Sequence, residues 1–252
     1  YGYGMMFQRR DDLADVFEDE VARIAEMGFT AAKMKIGMGV EADRALARAV
    51  RRGAGDDFRL MADANHAYTV GEAIQLGQTL RELEFFWFEE PIMPEDQDGY
   101  CEIRAALPGL QIAAGEAEWT RFGHRELIRR RCIDILQPEV AATGGISEFM
   151  KIVGMAHAFG IPVIPHVWGS DVLVAVDLHL VCVLPDIPGG LHSFEPMLEY
   201  DTTPNLFHEH LLAEPLEIQR QVKSSGGRVG PPTGAGIGVS LNEDFVAKYR
   251  VG

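Results

Sequence analysis

RLMADAN (59–65) decides the fold: it is a short apolar run that ends on a carboxylate, Asp63, with Asn65 two residues on. The pattern recurs in FFWFEEP (85–91), which carries Glu89, and in LQIAAGE (110–116), which closes on Glu116, at intervals of 26 and 27 residues. Such an interval is about the length of one strand–helix unit, and repeated units build a parallel sheet whose strand carboxyl ends gather at one mouth. Three carboxylates brought together there repel one another unless a cation sits between them. An all-oxygen set suits a hard divalent ion such as Mg²⁺. The three residues read as a metal site, and the chain as a metalloenzyme.

Outward from these runs the alternation continues. Leu13, Val16, Phe17, Val21, Ile24 and Met27 recur at helical spacing and stop at Gly28. A strand over 31–36 and a helix over 41–52 lead into the Asp63 strand. Ala73, Leu76, Leu80 and Leu83 mark the helix before Glu89, and 100–107 is the shorter helix before Glu116. Helices over 123–131, 146–159 and 172–184 then alternate with strands over 133–137 and 162–166, and a last strand is expected near 192–197. Tyr1-Gly2-Tyr3-Gly4 reads as the start of a first strand. About seven β-then-α repeats with short Gly/Pro-marked connections favour a closed parallel barrel over an open doubly wound sheet. Residues 1–200 form the expected barrel. The Pro/Gly-rich 201–252 is a tail that packs on the barrel or on a further domain.

The chain has 252 residues, 47% hydrophobic and 24% charged, which suits one such barrel with a large core. A formal charge of −15 argues against nucleic acid and anionic membranes as partners. The most apolar stretch, 172–184, is too short to span a bilayer and contains Asp177 and His179. Cys101, Cys132 and Cys182 have no close spacing and read as buried thiols of a reducing compartment. A cytoplasmic location and a homo-oligomer are expected.

Lys33 and Lys35, two apart on a strand, share one face, while Met34 and Ile36 share the other. In a helix-covered barrel the lysine face is the inside. Two ammonium groups so close are expected to lower each other's pKa and make one a neutral base. Asn65 shares a face with Asp63 and can present its amide beside the metal. Glu89 and Glu90 point in opposite directions, and parity leaves open which faces the bore. Glu139 and His166 end neighbouring strands, so a carboxylate can fix the imidazole tautomer and raise its basicity. Candidate bases then flank the metal from two sides. A metal on a substrate carboxylate, with bases on both faces, suits removal of the adjacent C–H proton. His208-Glu209-His210 is expected to be a surface loop, and Gly234-Ala235-Gly236-Ile237-Gly238 a turn, because no strand–turn–helix surrounds it.

Lys33-Met34-Lys35, Asp63-Ala64-Asn65, Trp87-Phe88-Glu89-Glu90-Pro91, Gly115-Glu116, Gln137-Pro138-Glu139 and His166 stand in the order and spacing of the enolase superfamily, and the chain resembles its mandelate racemase subgroup. The resemblance implies a modified TIM barrel, (β/α)₇β, with Mg²⁺ on Asp63, Glu89 and Glu116. It implies a Lys or His base and a metal-stabilised ene-diolate, a mechanism already known for this superfamily. It makes Lys35 the first acid/base, Lys33 its neighbour that tunes it and touches the substrate carboxylate, and His166 the opposite acid/base. Glu199 is implied as a donor to the intermediate's oxygen. The histidine's partner is Asp in the family and Glu139 here.

Family members also carry an N-terminal α+β capping domain that is absent from these 252 residues. The expectation is a cap of that type before Tyr1, docked on an apolar patch at the mouth. Leu198-Glu199-Tyr200-Asp201-Thr202-Thr203-Pro204-Asn205 and Pro165-His166-Val167-Trp168-Gly169 are most similar to acid-sugar enzymes, with an acid sugar as the small-molecule carboxylate partner. Dehydration or lactone cycloisomerisation is the expected reaction. Racemisation or epimerisation of a 2-hydroxy or amino acid derivative, or a catalytically silent metal- or sugar-binding barrel, are the alternatives.

Overall fold

The structure is a computed structural model, and it describes every residue except Phe7, Arg9, 187–193 and Gly252. Strands and helices alternate as β1 (Gly2–Met5), α1 (Leu13–Glu26), β2 (Ala31–Lys35), α2 (Val40–Ala54), β3 (Arg59–Asp63) and α3 (Val70–Glu82). They continue as β4 (Trp87–Glu89), α4 (Gln97–Ala106), β5 (Gln111–Ala114), α5 (Thr120–Arg130) and β6 (Ile135–Leu136). Three helices follow, α6 (Val140–Thr143), α7 (Ile146–Ala158) and α8 (Asp171–Val181), and then β7 (Tyr200–Asp201). The tail holds α9 (Leu206–Glu209), α10 (Ile218–Ser225) and α11 (Glu243–Tyr249).

All pairings within the sheet are parallel, in the order β6-β5-β4-β3-β2-β1-β7. Residues 162–166 extend it beyond β6 through two isolated parallel bridges, Leu136↔Val163 and Glu139↔His166. The remaining gap, back to β7, is crossed by a side chain: the Val167 N–H donates to Glu199 Oε2 at 3.2 Å. The fold is therefore the curled α/β barrel expected from the sequence, with two differences. The strand expected over 162–166 is reduced to single bridges. The last strand lies at Tyr200–Asp201, not near 192–197; residues 192 and 193 of that expectation lie outside the described ones. Apolar residues from Phe194 onward drew the expectation early, whereas the hydrogen bonds form where the chain meets Tyr1 and Tyr3.

Alternation along the strands sorts the interior into layers. Tyr1, Ala31, Met61, Trp87, Ala113, Ile135, Ile164 and Met197 pack together as one cluster inside the barrel, one residue from each strand position. Met34, Ala62, Phe88, Ile112 and Leu136 face outward into the larger core under the helices. Two residues past the inner apolar layer, every strand turns polar or loses its side chain: Tyr3, Lys33, Asp63, Glu89, Gly115, Gln137, His166 and Glu199. This second layer is the floor of the mouth.

The tail contributes to the main core through Ile218 and Val222 of α10, and His179 Nε2 lies 3.2 Å from the Ile237 carbonyl oxygen. The cysteines are not uniformly buried as expected: Cys132 is, Cys101 is half-buried and Cys182 is exposed. No helix among the described residues is long and apolar enough to cross a membrane.

Candidate active site at the barrel mouth

Strand register places the acidic groups side by side. Lys35 pairs with Asp63 across β2–β3, and Asp63 with Glu89 across β3–β4. Glu116 comes one residue later than its strand's inner position, because Gly115 takes φ +137° and turns the chain over the mouth. A Cβ at Gly115 would stand 3.1 Å from the Gln137 backbone nitrogen, so only glycine permits both the turn and the approach. One oxygen from each of Asp63, Glu89 and Glu116 falls within a group no more than 4.8 Å across.

Lys33 is fully buried, with Nζ 2.6 Å from Glu89 Oε1, 2.7 Å from Glu199 Oε1 and 3.6 Å from Asp63 Oδ2. Glu89 Oε2 accepts from Trp87 Nε1 at 2.8 Å and from Gln137 Nε2 at 2.9 Å. Lys35 Nζ donates to Asp63 and, at 2.8 Å, to Asn65 Oδ1. Asn65 Nδ2 donates to Glu116 Oε1 at 3.1 Å. His166 Nε2 lies 3.1 Å from Glu116 Oε2, and its Nδ1 lies 2.9 Å from Glu139 Oε2. Glu139 also caps α6, accepting from the Ala141 N–H at 3.3 Å, so one side chain fixes both a helix start and an imidazole. The extra methylene of Glu over Asp reaches the histidine.

Burial would lower the pKa of both lysines, but the carboxylates outweigh it. Glu199, Glu89 and Asp63 raise Lys33 well above its ordinary value, and Asp63 raises Lys35. Lys33 does lower Lys35, as expected, but Asp63 and Glu89 outweigh it, so beside these carboxylates alone neither lysine is the neutral base that the sequence suggested. Burial, joined by Glu89, Asp63 and Glu90, pushes Glu116 up to about 8 against the pull of His166. Burial works against the His166 imidazolium, but the Glu139 bond with Glu199 and Glu116 raises it to about 9. Glu199 is held below the usual carboxylate range: burial opposes ionisation, and Lys33 and His166 more than offset it. Its oxygens lie against Lys33 Nζ and accept from the Val167 N–H.

Divalent-cation chemistry fits this set. Glu116 Oε2 is buried with no hydrogen bond among the described residues, its nearest partner being His166 Nε2 at 3.1 Å. Asp63, Glu89, Glu116 and Glu199 set four carboxyl groups against the two ammonium groups of Lys33 and Lys35.

Parity is resolved: Glu89 faces the bore, and Glu90, only 1% exposed, turns to His66, whose Nε2 lies 2.5 Å from Glu90 Oε2. Asn65, His66 and Glu90 all sit at positive φ, a concentration of strain beside the acidic cluster. Sequence reading missed three participants. Tyr3, with Lys33 and Lys35 Nζ 5.8 and 5.7 Å from its ring centre, and Gln137 both lie two residues past the inner apolar layer, and that count would have found them. Trp87 is missed for another reason: it is an inner-layer residue whose indole N–H reaches up a layer. His208 is not on a surface loop: its Nδ1 lies 2.5 Å from Asp171 Oδ1, tying α9 to the start of α8.

Apolar side chains are exposed on the connecting loops, at Met38, Met93, Trp119 and Trp168, and in the first turns of α5 and α7, at Phe122 and Ile146. Trp119 is 71% and Trp168 61% exposed, an unusual arrangement for large aromatics.

Known proteins share this architecture. The D-galactarolactone cycloisomerase of Agrobacterium fabrum is 39% identical over 246 residues, covering 96% of this chain and 63% of that protein. The arabinonate dehydratase of Saccharolobus solfataricus is 32% identical over 254 residues, covering 99% of this chain and 63% of its own length. The crystal structure of L-talarate dehydratase from Polaromonas sp. JS666, complexed with Mg and L-glucarate, superposes with a TM-score of 0.81 at 27% identity, covering 98% of this chain and 62% of that one. The chain thus spans about 63% of the length of the curated relatives it matches. Residues 16–245 match the family described as Enolase C-terminal domain-like. A barrel whose strands deliver their acids and bases to one mouth, matched over nearly its whole length by such proteins, belongs to the enolase superfamily, among its mandelate racemase-like members.

Proposed function

We propose that this barrel removes the proton adjacent to the carboxylate of an acid sugar and completes the reaction by dehydration or by cycloisomerisation of the sugar's lactone. The observation that carries the reading is the placement of the two candidate acid/base groups. Lys35 is seated on Asp63 and His166 Nε2 on Glu116, so the two approach the carboxylate cluster from different members of it. A substrate carbon held over the cluster between them would present one face to each. One group takes the proton, and the other, already protonated, delivers one to the departing hydroxyl or to the product carbon.

Asp63, Glu89 and Glu116 would hold Mg²⁺, which supplies positive charge against the negative charge that grows as the C–H proton leaves, and which competes with Lys35 for Asp63. Lys33 has no exposed surface and acts by fixing Glu89 and Glu199. Glu139 orients His166 and holds its Nδ1 proton, leaving Nε2 to face the cluster. Asn65 bridges Lys35 to Glu116 and keeps the two ends of the site in register. The dehydratase and cycloisomerase relatives favour these two outcomes over racemisation.

The test is exchange of the α-proton in deuterated solvent, with Mg²⁺ present, across a panel of acid sugars and their lactones that includes galactarolactone and arabinonate. At least one member should exchange and be consumed. If Mg²⁺ binds but no member exchanges, the barrel is a silent binding module and the proposal fails.

A further inference from the structure

Far from the mouth, two thiols meet. Cys101 lies in the middle of α4 and Cys132 in the loop between α5 and β6, 31 residues on, and their sulfurs are 2.8 Å apart. That separation is only about 0.8 Å beyond a covalent S–S bond of about 2.03–2.05 Å. The placement does not depend on the cysteines alone. Cys132 Sγ is 3.3 Å from the Gln97 carbonyl oxygen at the start of α4. Arg130 pairs with Asp98, and Arg104 with Asp134 at 2.8 Å, so two surface ion pairs link the same two segments that carry the thiols. Neither sulfur touches the acidic cluster or its supporting residues.

We infer that Cys101 and Cys132 form an oxidation-dependent disulfide that staples α4 to the α5–β6 connection. The two thiols are unequal. Cys132 is wholly buried and its thiol is pushed up to about 12, by burial first and then by the bond to Cys101, so it is not the group an oxidant meets. Cys101, half-buried, is the accessible one. With hydrogen peroxide as oxidant, the Cys101 thiol gives a sulfenic acid and one water. The Cys132 sulfur then attacks the sulfenic sulfur, the S–OH bond breaks, and the hydroxyl leaves with the Cys132 proton as a second water. Two thiols and one peroxide thus become one disulfide and two waters, and an added dithiol reverses the change. Sequence spacing gave no hint of the pair, because the two residues belong to different repeats and meet only when neighbouring units pack.

The full chain, first reduced, is treated with an equivalent of hydrogen peroxide, blocked with an alkylating agent and mapped without reduction. The expected result is a Cys101–Cys132 cross-linked peptide lacking two hydrogens, Cys182 alkylated or oxidised on its own, and a melting temperature raised by several degrees that dithiothreitol restores. The Cys182→Ser variant, which leaves the pair intact, should behave identically; Cys101→Ser should lose both the cross-link and the temperature shift. Sulfinic acid at Cys101 with Cys132 still free, or cross-linking only through Cys182, would overturn the assignment. Neither readout depends on the proposed activity.

Discussion

Among the described residues Glu116 is the least anchored of the three clustered acids: Asn65 donates to one oxygen, and the other is buried without a hydrogen bond. Replacing it with Gln removes one anionic ligand and leaves the fold's hydrogen bonds nearly intact. Glu116→Gln should weaken Mg²⁺ binding at least tenfold, read by titration calorimetry, and abolish α-proton exchange; unchanged Mg²⁺ affinity would remove Glu116 from the metal site. Lys35→Ala and His166→Asn should each stop turnover, and one of the two should retain α-proton exchange with deuterated solvent, because the opposite group survives. Full turnover in either variant would sink the two-sided arrangement. Asp177 on α8 has no exposed surface and, among the described residues, no hydrogen-bond partner for either oxygen; burial, helped by Glu139 and opposed by His166, pushes it up to about 8. Its proton stays on in the folded chain where the unfolded chain has lost it. The stability this confers is full below about pH 4 and is lost as pH rises toward about pH 8. Asp177→Asn should therefore melt higher than the parent by a margin that grows between about pH 5 and about pH 9, followed by calorimetry; parallel pH profiles would show that Asp177 does not titrate in this window.

At the scale of elements, α1 and α2 pack closely against each other, and a glycine permits it. A Cβ on Gly53 would stand 2.3 Å from the Glu18 carbonyl oxygen, a backbone atom that cannot swing aside. Gly53→Ala should cost about 1–3 kcal/mol in denaturant unfolding through overpacking, despite the gain in helix propensity; a neutral or stabilising result would mean the two helices separate easily. What the sequence made legible follows the same divide between local and distant causes. Helix positions were readable because an apolar stripe repeats within each segment, as in Leu13, Phe17, Val21 and Ile24 of α1. The shared face of Lys33 and Lys35 and the convergence of Asp63, Glu89 and Glu116 followed from strand parity and repeat length. The direction of the lysine shifts was not readable, since it depends on how many carboxylates other strands bring, and Glu199 arrives from the far end of the chain. Nor was His208, whose partner Asp171 lies 37 residues away on another element.

For the molecule as a whole, the mouth combines a polar, strongly acidic floor with an apolar rim. Trp119 follows β5 and Trp168 follows the segment after β6, so the rim draws on separate loops and is not one stray side chain. A dye that fluoresces on apolar surface should bind this 252-residue chain, and a Trp119→Ser/Trp168→Ser variant should lose most of that signal while its unfolding free energy changes by less than about 1 kcal/mol. An undiminished signal would place the accessible apolar surface elsewhere.

The pairing of β1 with β7 also dictates an order of events. Lys35 finds Asp63 28 residues along the chain, whereas the Tyr3 carbonyl accepts from Thr202 Oγ1 across 199. As the polypeptide leaves the ribosome, ladders β1–β2 through β5–β6 can zip up in sequence, each over a short loop. The first strand's other edge stays unsatisfied until residue 200 has been made. During that wait the nascent sheet is an open ribbon with a bare edge at each end, the form most exposed to pairing with a stranger. The seam that finally ends this vulnerability also carries Glu199 up to Lys33, so the polar floor of the mouth cannot be completed before the ribbon has become a ring.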